Sequence, residues 1–322
     1  MKKGFKLFDY SKPGKGVKKA ETDYSFFGFF KLFKRKFFDL SKVNFLWILL
    51  NFPLFFGFVG LSGNFNIDFS SPASPFSPIV NGVGLFNNGA EITALGEIIG
   101  KDVIMSYPGP TAELLFGLTA LVILTIGLAN TGMAFVLRNH SREEYVDMPG
   151  DFFRTIKKNF GQGLLLGIID VVISAALIFA MVFYSTNANV NTLFGMSYFF
   201  SFFVIAIWIM MHFYMYQLLV TFKLSTYKIL KNSFIFAMIG IKRNIVALIG
   251  IIVTIFLNIM IYVYFLPLGG LLPFFITIAL VSFIGTFAAY PNIKKIMIDP
   301  YYKSSDYVND TPEESSLFKD RG

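Results

Sequence analysis

"RNHSREEYVDMPGDFFRTIKKNF", residues 138–160, interrupts a chain that is otherwise strongly apolar. It stands between two runs without a single Lys or Arg, 112–137 and 164–184, each close to the ~20 residues that cross a ~30 Å hydrocarbon core. Within it lie Arg138, Arg142, Arg154, Lys157 and Lys158. A basic loop between two membrane-length apolar runs is the mark of a polytopic helical membrane protein, with that loop on the cytoplasmic side.

The rest of the chain repeats the pattern. Of 322 residues, 55 % are hydrophobic and only 15 % charged, against about 25 % in a soluble domain. The mean hydropathy is +0.61. Apolar runs predict spans near 43–61, 112–137, 164–184, 197–220, 245–266 and 269–290. They are continuous rather than alternating, which excludes a transmembrane barrel. Of the 28 Lys and Arg, 27 fall before the first span, in loops 138–163 and 222–244, or after the last span. The outer segments carry only Lys101. This predicts an all-α, multi-pass bundle of about six spans with both termini on the cytoplasmic side. The first apolar span follows a long basic stretch with no small-residue cleavage site after it, so no cleavable signal peptide is expected.

Interfacial helices are expected beside the spans. Phe152, Phe153, Ile156 and Phe160 fall within about 100° of one helical face, and Arg154, Lys157 and Lys158 face away. Asp151, after Pro149-Gly150, is the expected N-cap. A second amphipathic helix is expected over 24–40, with Phe26, Phe29, Phe30, Phe33, Phe37 and Leu40 in a stripe. Asn44, Asn159 and Asn244 stand in "SKVNF", "IKKNF" and "IKRNI", each opening an odd-numbered span. Lys157, Lys158 and Asn159, like Lys242, Arg243 and Asn244, mark the interfacial, topology-determining positions. Three repeats of an interfacial helix plus a hairpin would give this recurrence. So would the ordinary use of Lys and Asn at a cytoplasmic helix start. Three further segments complete the organisation: a basic N-terminal segment 1–23, an outer insert 62–111, and an acidic, disordered tail 299–322. The insert's Ser/Pro-rich first half reads as flexible, followed by a helical Ala90–Asp102.

No catalytic constellation is present, and the protein is expected to be no enzyme. With no Cys there are no disulfides, thiolate metal sites or thiol nucleophiles. "PGKGV" at 13–17 lacks the spacing of a phosphate loop. No metal or cofactor is implied. The net charge of +8 follows the topology, so the expected electrostatic partner is a bilayer with anionic headgroups and not nucleic acid. One candidate intramembrane polar site stands out. Asp170 in the third span and His212 in the fourth lie at similar depth. An ionised Asp in a helix core costs roughly 2.5–3.5 kcal/mol, so it faces the bundle and finds a partner. That partner is either His212, in a site for protons or a polar ligand, or Lys157, Lys158 or the headgroups in a purely structural contact. Asn130, Gln217 and Asn258 within spans, and Glu113 at the mouth of the second, would line a polar path or join helices.

Three segments carry a resemblance: "FDYSKPGKGVKKAETD", "NTGMAFVLRNHSREEYVDMPGDFFRTIKKNF" and "YMYQLLVTFKLSTYKILKNSFIFAMIGIKRN". They resemble the YesL-like family of bacterial integral membrane proteins, classed as domain of unknown function 624. The insert 62–111 departs from the family's short connection between the first two spans. The resemblance implies no reaction and no catalytic residues. It implies an association with carbohydrate uptake, hence an accessory or regulatory role beside the subunits of a sugar importer. The alternative is a transporter in its own right, with a path near Asp170 and His212.

Overall fold

The computed structural model describes residues 22–86 and 89–300. Most of the basic N-terminal segment and of the acidic tail, with "PGKGV", lies outside the described residues. The chain forms α1 (Phe26–Leu50), α2 (Leu54–Gly60), β1 (Asn66–Pro72), α3 (Ser77–Phe86), α4 (Ala90–Ile99), β2 (Asp102–Pro108), α5 (Pro110–Thr119), α6 (Val122–Ser141), α7 (Met148–Lys158), α8 (Phe160–Asn187), α9 (Thr192–Thr221), α10 (Thr226–Ile239), α11 (Ile241–Tyr264), α12 (Leu266–Leu272) and α13 (Ile278–Ile293). Short π-helical turns at Pro273–Thr277 and Lys294–Ile298 flank α13. Five helical stretches are long and apolar enough to cross a membrane: Pro110–Ser141, α8, α9, α11 and Leu266–Ile298. Counting α1 and α2 as one bent span gives six. The architecture is a polytopic all-α bundle.

The first span differs from its expected form. The amphipathic segment 24–40 does not end before a separate helix; it continues unbroken to Leu50 as α1. From Phe29 to Leu50 there is neither Gly nor Pro to stop it. The break comes at Asn51–Pro53, inside the expected span 43–61, where α1 and α2 meet at 70°. The aromatic stripe splits as well. Phe29, Phe33 and Phe37 pack on the core, whereas Phe26 and Phe30 point outward.

The segment that opened the reading is also redistributed. Arg138 to Ser141 belong to the last turn of α6 and are buried, not part of a loop. Arg138, 1 % exposed, donates from Nη1 to Val220 O and Thr221 Oγ1, and lies 5.0 Å over the Phe135 ring. His140, expected in the loop, is 2 % exposed. The helix ends because Glu143 takes φ +59°. Its N–H then bonds His140 O and the Glu144 N–H bonds Asn139 O, a Schellman closure. Glycine usually occupies that position; here the Glu143 carboxylate instead pairs with Arg35 at 2.7 Å. In α7 the N-cap is Asp147, not Asp151. Pro149 takes an early helical position and leaves Asp151 in the first turn, where its Oδ2 accepts from the Asp147 N–H at 3.0 Å. Phe152 and Ile156 are buried; Phe153 and Phe160 are exposed, while Arg154, Lys157 and Lys158 face away from the core.

Burial follows a gradient along α6, α8, α9 and α11. At the end carrying the basic loops the helices are tightly packed: 127–141 of α6, 213–221 of α9, and most of 283–293 of α13 are buried. The opposite halves, such as 171–187 of α8, 192–209 of α9 and 252–264 of α11, expose apolar side chains almost throughout. Tyr24 OH donates to Ser141 O, Arg243 Nη2 donates to Tyr24 O, and Arg142 lies over Tyr290, so four segments converge at the basic end. Close approach there depends on glycine. A Cβ on Gly127 of α6 or on Gly167 of α8 would overlap the other's backbone.

The three Asn of the recurring motif are all buried but do not share partners. Asn159 donates to Thr155 O in the last turn of α7. Asn244 donates to Ala237 O near the end of α10 and accepts from Tyr214 OH. Helix breaks precede both α8 and α11, whereas α1 runs through Asn44. Asn44 spans the bundle: its Nδ2 donates to Pro273 O and Phe274 O, and its Oδ1 accepts from the Ala279 N–H at 2.8 Å. Pro273 and the π turn free these backbone groups, and in an apolar interior each must find a partner.

The insert is built where its first half reads as flexible. β1 and β2 pair antiparallel from Asn66↔Pro108 to Pro72↔Asp102, and α3 and α4 lie between them. Ser77 Oγ, fully buried, donates to Ile99 O and fixes α3 to the end of α4. The helical reading of 90–102 holds as α4 to Ile99; Gly100 caps the helix and Asp102 opens β2.

Candidate functional site

The α8 and α9 pair brings the two sequence-selected residues together. Asp170 and Ser174 lie one turn apart on α8. Trp208, His212 and Tyr216 follow at i, i+4 and i+8 on α9, so each set presents one face. His212 Nε2 is 2.9 Å from Asp170 Oδ2. Tyr216 OH donates to the same oxygen at 3.2 Å, and Ser174 OH donates to Oδ1 at 3.4 Å. Trp208 Nε1–H donates to Ser174 Oγ at 3.0 Å, which extends the ladder. Asp170 therefore pairs with His212, not with Lys157, Lys158 or the headgroup region.

Chemically this is a carboxylate–imidazole pair at hydrogen-bond distance, a geometry in which a proton can pass between the two partners. Tyr216 and Ser174 satisfy the carboxylate's other lone pairs, so Asp170 stays fixed whichever partner holds the proton. The two ends differ in access. The Asp170 side chain is 8 % exposed, whereas that of His212 is 39 % exposed. The imidazole is the accessible end of the pair and Asp170 the embedded one.

The pair borders a cavity of about 700 Å³ between α6, α8, α9 and α13, with Trp47 of α1 closing one side. Most of its wall is apolar; its polar side chains include Asn130, Asp170, Ser174, His212, Tyr216, Gln217, Ser282 and Thr286. Asn130 Oδ1 accepts from Trp47 Nε1–H at 2.8 Å. Gln217 Nε2 donates to Thr286 Oγ1 at 2.8 Å, while its Oε1 is buried with no hydrogen-bond partner among the described residues. An apolar chamber with a few oriented polar groups is the usual form of a small-molecule site. The residues that follow the cavity wall on α9 and α6, Leu218, Leu219, Val220 and Arg138, are fully buried. Asp170 and His212 thus sit where the packed end gives way to the open half. Asn258, the remaining intramembrane amide, donates to Thr277 Oγ1 at 3.0 Å and joins helices away from this cavity.

The other selected residues do not join this site. Arg154 pairs with Asp151 at 2.9 Å, and Lys157, Lys158 and Lys242 are exposed. Arg243 is half-buried against Tyr24; Asn159 and Asn244 bond to backbone as described. Trp208, Tyr216 and Ser174 were not singled out from the sequence, although their i±4 spacing from His212 and Asp170 carries the signal. Among the described residues, no three His, Cys, Asp or Glu cluster in a way that would hold a metal ion.

Residues 40–181 match the model of a family described as "Protein of unknown function, DUF624". The expected resemblance to that family thus holds over 40–181, from the middle of α1 through most of α8. No curated protein and no solved structure matches the chain.

Proposed function

We propose that this chain, which carries the DUF624 signature over residues 40–181, is a transporter that binds a small polar solute in its central cavity and couples its passage to a proton on the Asp170–His212 pair. The observation that carries the reading is the 2.9 Å contact between these side chains at the wall of a 700 Å³ cavity. An embedded carboxylate with an accessible imidazole partner is the arrangement of a proton relay. The amides of Asn130 and Gln217, with the indoles of Trp47 and Trp208, suit a hydroxyl-rich ligand, so a mono- or disaccharide is the solute class. The protein acts without catalysing a covalent step. It resides in the bacterial cytoplasmic membrane with its packed, basic end inside, in keeping with the distribution of Lys and Arg.

A second reading keeps the protein beside a carbohydrate importer as an accessory or regulatory subunit. It is supported by the exposed basic and aromatic surface at the packed end, where Phe153, Lys157, Lys158 and Lys242 project from α7 and α11.

The test is counterflow of labelled mono- and disaccharides into proteoliposomes, with Asp170→Asn as the variant. Flux in the wild type that Asp170→Asn abolishes, with the variant still folded, supports transport. Equal flux in both removes the site hypothesis. Absence of wild-type flux, together with importer subunits recovered stoichiometrically on the tagged protein from its native membrane, moves the assignment to the accessory role.

A further inference from the structure

A second cavity, of about 960 Å³, lies on the flank of the bundle between the N-terminal half of α1, α11 and the last span. It does not touch the Asp170–His212 chamber. Its walls are almost wholly apolar: Phe26, Phe30 and Phe33 from α1, Val246, Val253 and Leu257 from α11. Phe26 and Phe30 are 64 % and 51 % exposed, so this side of the groove is open. Its charged lining lies at one end, where Lys242 and Arg243 stand beside Tyr24 and Ser25; further along, Thr254 and the hydrogen-bonded Asn258 and Thr277 are its other polar residues. Arg243 spends one nitrogen on Tyr24 O, and Lys242 is exposed. No carboxylate pairs with either of them among the described residues.

We infer that this groove is a binding site for one anionic phospholipid, with the phosphate on Lys242 and Arg243 and an acyl chain along α11. Charge selects the head, because two cations without carboxylate partners meet the groove at the headgroup level, where basic pockets between spans take anionic lipids. Length fits the tail. From Arg243 to Val253, through lining residues Val246, Ala247 and Gly250, the helix rises about 15 Å, the depth of one leaflet. The chain's own acidic tail would answer the charge, but residues 301–322 are too polar to fill apolar walls of this length. Gly250 lies halfway along the wall, and a Cβ there meets only Ile284 Cγ2 at 3.6 Å, an ordinary contact. That position leaves room for a chain and offers a way to block it.

The experiment is native mass spectrometry of the full-length protein in mild detergent, with phosphatidylglycerol or phosphatidylcholine of identical chains added. Phosphatidylglycerol should be retained preferentially. Lys242→Gln/Arg243→Gln should lower its retention by roughly tenfold or more. Gly250→Leu, which leaves both charges in place, should lower it as well and keeps the test valid if the charge variant folds poorly. Equal retention of the two lipids overturns the proposal, as does wild-type retention in both variants. Lipid binding that appears only after residues 301–322 are deleted also overturns it and names the tail as the occupant.

Discussion

The two ends of this bundle are made from equally apolar helices, yet only one of them is a core. In α9 the stretch after His212 is buried, including Tyr214, Gln217 and Leu218, while Phe199, Phe200 and Phe203 near its start face outward. Hydrophobicity cannot explain the difference, since in a bilayer lipid tails offer apolar side chains as good an environment as protein does. The packed end has what lipid cannot supply. It has backbone and amide groups that need partners, such as Arg138 on Val220 and Asn244 on Tyr214, and glycines that let α6 and α8 touch. Helix association here is bought with polar satisfaction and close approach rather than with apolar area. Asp170 and His212 lie at the border between the halves, where a cavity is open and a polar pair is still held in place.

The contrast can be broken or sharpened by substitution. The largest effect belongs to Phe152→Ala, because this ring is wholly buried against Gly132 of α6. A loss of about 3–5 kcal/mol is expected, read as a sharply lowered thermal midpoint in detergent. A loss under about 1 kcal/mol would mean that the packed end is soft. Next comes Asn44→Ala, which strips Pro273 O, Phe274 O and the Ala279 N–H of their partner; about 1–3 kcal/mol is expected in the same measurement. Asp170→Asn and His212→Gln should be coupled in a double-mutant cycle by about 0.6–1.7 kcal/mol, the range for hydrogen bonds between membrane helices. Strictly additive effects would show that the two side chains act separately. Phe199→Ala, at a position 73 % exposed in the open half, should shift stability by no more than about 0.5 kcal/mol. A value near that of Phe152→Ala would erase the distinction between the two ends.

Much of the fold is legible in the residues, since long apolar runs and a one-sided distribution of Lys and Arg leave few alternatives to a six-span bundle. The boundaries are less so. The span 112–137 extends to Ser141 because Arg138, a residue that reads as a loop cation, finds three kinds of partner inside the bundle. Its end is set by Glu143 in a conformation usually reserved for glycine. Hydropathy is blind to both facts, since each depends on contacts from other helices. The unbroken α1 escapes notice for the opposite reason. A basic interfacial segment and an apolar span differ in composition, but nothing in the local backbone chemistry between Leu40 and Val43 requires a bend. At the candidate site, depth alone selects Asp170 and His212. The supporting Tyr216, Ser174 and Trp208 carry a detectable helical spacing. The flanking Asn130 and Gln217 read equally well as helix-joining groups until the cavity beside them is seen.

The clamp formed by Asn44 has a consequence for biogenesis. Asn44 is translated 229 residues before Pro273, its first partner. Throughout insertion of the intervening spans its amide has no native backbone to bind, and the carbonyls it will hold do not yet exist. The last hairpin, in turn, enters the bilayer with a π turn that only the first helix can satisfy. Opening and closing segments of the chain therefore complete one another, and a ribosome that stops before the final span leaves behind a product with an amide exposed to lipid.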